Sequence, residues 1–196
     1  MKHQIVFVLL ALLCPFGLRA QVVIDQTFSI EEYVNDLLLG TGVTASNITS
    51  IGDPVQLAEV SDTSGLFSVE SGLVLSSGDP NRLADCAADA NPTGLSGAFS
   101  DADLLSVANS VPPLIGQSFT VGGVYDGCVL EFDFVAVGDS ISFNYVFGSD
   151  EYLTYVNTQY NDIFAFFLSG PGITGPYASP ASFPRWGNQH CSGARF

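Results

Sequence analysis

Four oxygen-bearing side chains bracket one aromatic stretch of the sequence. Asp150 and Glu151 precede it and Asn161 and Asp162 follow it, in FGSDEYLTYVNTQYND. Carboxylate and amide oxygens gathered on turns are what a hard cation such as Ca2+ takes, so these four are the candidate metal ligands. Their spacing is not that of an EF-hand loop, and turn residues that hydrogen-bond their own backbone explain the same residue types without a metal. Glu131 and Asp133 form a second pair. On one strand face they stand about 7 Å apart, a place for carboxylate-only chemistry of the glycosidase kind. Both are expected on a wetted face, and no catalytic residue is assigned. Between Gln21 and Pro184 there is neither histidine nor lysine, which removes Ser–His and Cys–His pairs and Schiff-base lysines. The chain is read as a non-enzyme. Of the 4 cysteines, Cys14 lies in the leader and Cys191 in the tail. That leaves Cys86 and Cys128, either as a disulfide in an oxidising compartment or as two separate buried thiols. No CxxC or Cys/His cluster offers a zinc site.

The elements that must position these groups read as strands. Leu130, Phe132 and Phe134 alternate with Glu131 and Asp133, Gly138-Asp139 marks a turn, and Ile141, Phe143, Tyr145 and Phe147 alternate again. Two period-2 runs around a tight turn predict an antiparallel hairpin with one wet face. Ile163 to Leu168 is apolar on both faces and predicts a central strand. Val43 to Ile51 is rich in β-branched residues, and Gly72 to Leu75 is a short apolar run before a turn. Residues 79–100 read as a long surface loop, and Asp101 to Ala108 as a short helix capped by Ser100 or Asp101. Ser29-Ile-Glu-Glu32 has the form of a capping box. Apolar residues at Ile30, Tyr33, Val34, Leu37 and Leu38 follow at helical spacing, predicting one N-terminal amphipathic helix over 29–39. The fold class expected is mainly β, an antiparallel, jelly-roll-like β-sandwich with that single helix.

The leader MKHQIVFVLLALLCPFGLRA has a polar start, an apolar run from Ile5 to Leu13 and Ala20 at a cleavage position. That is the grammar of a cleaved signal peptide over residues 1–20; the apolar run is too short to span a bilayer. The expected address is the cell exterior. All 20 acidic residues lie beyond the leader and the formal net charge is −15. Nucleic acid is therefore a poor partner, while a cation or plain solubility fits. Asn47-Ile-Thr49 is a formal glycosylation sequon, read as a chance match.

The segments LLLGTGVTASNITSIGD, SGLVLSSGD and VLEFDFVAVGDSISFNYVFGSDEYLTYVNTQYNDIFAFFLSGPGI together resemble the choice-of-anchor L domain family, over about Phe28 to Pro184. The resemblance implies an exported surface protein of Bacteroidota-type bacteria, often with a type IX secretion signal at its C-terminus, and carries no established enzymatic activity. It makes residues 21–184 one domain, incomplete at its end. Adhesion to a surface glycan or a protein ligand is the role it implies, with a passive spacer as the alternative and a carboxylate glycosidase a distant third. Tyr152, Tyr155 and Tyr160 are candidates to stack on a sugar face. The anchor is expected in a part of the protein beyond this chain, since no transmembrane run follows the leader.

The resemblance breaks at the tail. Where it calls for a strand of the kind NIALVPG, the chain reads PRWGNQHCSGARF. A choice of codons for Pro184 to Arg195 exists in which loss of one base yields PDGAINIALVPG. Residues 185–196 are therefore expected to be a frameshifted tail.

Overall fold

The computed structural model describes residues 22–84, 95, 100–138, 140–149, 155, 158–160, 162–171 and 190–195. The chain is mainly strand, in two antiparallel sheets with few helices. The first sheet has three strands, β1 (Val22–Asp25), β3 (Leu57–Asp62) and β4 (Ser71–Leu75), in the order β1-β3-β4. The second has four, β2 (Val43–Ile51), β5 (Val129–Ala136), β6 (Ala165–Ser169) and β7 (His190–Arg195), in the order β2-β5-β7-β6. The β-branched run and the short apolar run expected as strands are β2 and β4.

Between β1 and β2 the sequence predicts a regular amphipathic helix over 29–39, and that helix is not seen. A single α-helical turn, α1 (Ile30–Glu32), passes into a π-helical stretch over Tyr33–Leu38. The capping box forms: Ser29 N–H donates to Glu32 Oε2 at 2.7 Å and Glu32 N–H to Ser29 Oγ at 3.3 Å. The wider turn is closed by Leu39 N–H on the Val34 carbonyl at 2.9 Å. It buries Tyr33 and Val34 and leaves Leu38 exposed, so the apolar stripe is cut short. Tyr33 forms a core cluster with Leu57 and Cys128, against which Phe28, Leu37, Leu73 and Leu75 pack, the Phe28 ring 5.7 Å from its own. Its hydroxyl lies 3.3 Å from both the Asp25 and the Leu57 carbonyls, and burial raises its pKa.

Polar turns join the two sheets. Asp53 caps a 3-10 turn over Pro54–Gln56, accepting from Val55 N–H at 3.0 Å. Gln56, 2% exposed, accepts from Asp53 N–H at 2.7 Å and donates to the Asp126 carbonyl at 2.8 Å. That side chain ties the entry of β3 to the approach of β5. Helix α2 (Ala102–Leu114) is longer than expected and is capped by Asp101, which accepts from Asp103 and Leu104 N–H at 2.9 and 2.8 Å. Pro112 and Pro113 fall in its last turn. In β2 the register shifts between Ser46 and Thr49. Asn47 there takes φ 53°, and its amide donates to Asp133 at 2.6 Å.

Three strand expectations are corrected. β5 does not form a hairpin with the run from Ile141 to Phe147, because both its edges are taken, by β2 and by β7. The apolar strand β6 stands at the end of its sheet, not at its centre, since β7 inserts between it and β5. Glu131 is not on a wetted face: it is buried, as is Phe134, while Phe132 and Asp133 are half-buried.

Candidate functional site

Most of the proposed ligand set lies outside the described residues: Asp150, Glu151 and Asn161 are not described, nor is Tyr152. Asp162 is described, exposed, and accepts from Ser149 Oγ at 3.0 Å. This contact joins the two ends of the stretch that carries the other three. Tyr155 and Tyr160 meet edge to face with ring centroids 5.9 Å apart, and Tyr160 is 60% exposed. Thr158 holds that turn, with its hydroxyl donating to the Tyr155 carbonyl at 2.7 Å and accepting from Tyr160 N–H at 3.1 Å. Among the described residues, no three His, Cys, Asp or Glu side chains come together to hold a metal ion.

A second aromatic feature, not legible in the sequence as a unit, is a ladder of rings. Phe143 lies 4.3 Å from Phe166 and Tyr145 5.7 Å from Phe164, centroid to centroid. Phe164 and Phe166 meet edge to face at 4.5 Å, and Phe147 reaches Phe164 at 6.4 Å. Phe143, Tyr145, Phe147 and Phe166 are all exposed. A shallow cleft lined by Ser68, Val69, Phe143, Asn144 and Tyr145 sets the ladder against the β3–β4 connection. The alternation in ISFNYVF and IFAFF is the signal that announces these rings; which run faces which is not contained in it.

The carboxylate pair is pulled apart chemically. Glu131 is buried in β5, and Asp133 is engaged by Asn47, so neither presents an open carboxylate beside the other on a wetted surface. Cys128 is a buried free thiol, and burial pushes it up to about 12, which makes it an inert core residue. Cys86 lies outside the described residues.

Residues 22–189 match the family described as the Choice-of-anchor L domain. The chain belongs to that family. A choice-of-anchor domain is a module of surface proteins, of a non-catalytic, anchor-associated kind. No helix among the described residues is long and apolar enough to cross a membrane. No curated protein and no solved structure matches this choice-of-anchor L chain.

Proposed function

We propose that this choice-of-anchor L domain is the adhesive module of an exported, anchored surface protein, with calcium held at the neck of the 149–162 stretch and a glycan as ligand. The observation that carries the reading is the Ser149–Asp162 contact at 3.0 Å. It closes the neck on which Asp150, Glu151 and Asn161 follow in sequence, and oxygen ligands from both sides of a neck suit Ca2+. The exposed face of Tyr160, braced by Tyr155, supplies the flat apolar surface that a sugar ring stacks on. A net charge of −15 suits an extracellular cation as counter-charge. On this reading the two sheets are the layers of a jelly-roll-like sandwich. A cleaved leader over residues 1–20 and a type IX route belong to the same proposal.

Thermal melts at fixed ionic strength, with calcium and then with chelator, test the cation. A site present only in the folded state raises Tm with calcium, and Asp162→Asn removes most of that rise. Equal melts sink the calcium assignment. Binding to an array of surface glycans tests the ligand. Tyr160→Ala should abolish a signal that the parent chain shows, and a blank array for the folded parent leaves the domain a spacer.

A further inference from the structure

We propose that residues 140–149 are a strap that closes onto β6 as a fifth strand of the second sheet, in the antiparallel register that places Asn144 opposite Ala165. The inference needs neither calcium nor glycan. The strap is seen here with its backbone unpaired: among the described residues, 140–149 make no backbone hydrogen bond, and every side chain from Ser140 to Ser149 is exposed. A ten-residue stretch in which Ile141, Phe143, Tyr145 and Phe147 fall at every second position, with open donors and acceptors, is a strand without its ladder.

Three observations choose β6 as the partner. The nearest ring pairs across the two runs share one register, Phe143 with Phe166 at 4.3 Å and Tyr145 with Phe164 at 5.7 Å, and Tyr145–Phe166 at 6.2 Å and Phe147–Phe164 at 6.4 Å are the diagonal contacts beside it. In both nearest pairs the residue numbers sum to the same value, as antiparallel neighbours require, and Asn144 then faces Ala165. The sheet order closes β5 to the strap, because β5 is flanked by β2 and β7, and leaves β6 open, since β6 ends the sheet as β2 does on the far side; the ring contacts choose β6 of the two. Strand direction agrees too. β5 is antiparallel to β7 and β7 to β6, so β5 and β6 run the same way. An antiparallel strap therefore starts at the end of the sheet where β5 finishes. Closed, the strap and β6 become antiparallel neighbours, and the described Tyr155–Tyr160 pair falls between them in sequence. The Ser149–Asp162 contact ties the end of the strap to the approach of β6.

The test is a cross-strand disulfide in the full chain. Directly opposed antiparallel residues have Cα atoms at about 4.5–5.5 Å, within the span a disulfide accepts. Asn144→Cys with Ala165→Cys should lose both introduced thiols on mild oxidation and show the 144–165 bridge within one chain by peptide mapping. Asn144→Cys with Leu168→Cys, three residues out of register, should keep them. Amide hydrogen exchange on the parent chain gives a second reading that no cysteine can disturb: alternate amides over 141–147 should be protected. The proposal is overturned if the bridge forms equally at 168 or only between chains. Uniform fast exchange across 141–147 overturns it as well.

Discussion

Asp62 shows how much one side chain can hold in a turn of this protein. Its carboxylate accepts from Ser64 N–H at 2.7 Å, from the Ser64 hydroxyl, and from Phe67 N–H at 2.6 Å, organising the whole β3–β4 connection that lines the cleft. These donors favour the charged form, the Ser64 hydroxyl first, and hold the carboxyl below the usual aspartate value of 3.8. Asp25 and Glu32 are lowered in the same way, by Thr27 and by Ser29. The sign follows: a depressed folded pKa contributes stability that is present above the unfolded value and is lost as pH falls through the folded one. Acid titration of Tm should therefore show a decline beginning near pH 4. Asp62→Asn should melt lower at neutral pH, because an amide nitrogen replaces one acceptor, and should show a shallower decline in acid. An unchanged acid limb in the variant would assign the effect to the other carboxylates. Asp62 is not legible in the sequence as a special residue. Ser and Asp near Gly65 signal a turn, but not which carboxylate collects the donors.

At the scale of elements, the junction between sheets rests on a close backbone approach. Gly52 has φ +127°, and a Cβ there would meet Gln56 Oε1 at 2.6 Å and the Gly127 carbonyl at 2.7 Å. The second of these is backbone and cannot swing away. Gly52→Ala should cost about 1–3 kcal/mol, from strain and overpacking together, read as a lower midpoint in urea. Gly65→Ala, with a positive φ but open space around it, isolates the conformational part and should cost less. A midpoint for Gly52→Ala no lower than that of Gly65→Ala would mean that the junction relaxes. Capping residues were the most legible elements: Ser29 with Glu32, and Asp101, stand where local chemistry places them. The helix after Ser29 was less so, because apolar residues at helical spacing do not distinguish an α turn from the wider π turn seen over Tyr33–Leu38.

For the whole molecule, the dominant fact is charge. With 20 acidic residues against 5 basic ones, self-repulsion opposes the compact state and is screened by salt. Tm should rise with added sodium chloride from low ionic strength and level off once the Debye length falls to about 8 Å near physiological salt. A flat response would show that the carboxylates are locally compensated, as Asp62 and Asp133 are by their donors. Calcium must therefore be tested at constant ionic strength, where a specific site stands above this background.

Composition and periodicity by themselves determined that this is a mainly β chain with neither histidine nor lysine between Gln21 and Pro184. The family is carried by sequence motifs instead, and its match extends over residues 22–189. Alternation and capping are local properties, and they survive folding. Partner choice is not local. That β5 pairs with β2 and β7 rather than with its sequence neighbour, that β6 ends its sheet, and that Glu131 is buried were decided only in three dimensions. A period-2 run states which side chains share a face, but the edge it pairs with depends on which edges other strands have already occupied.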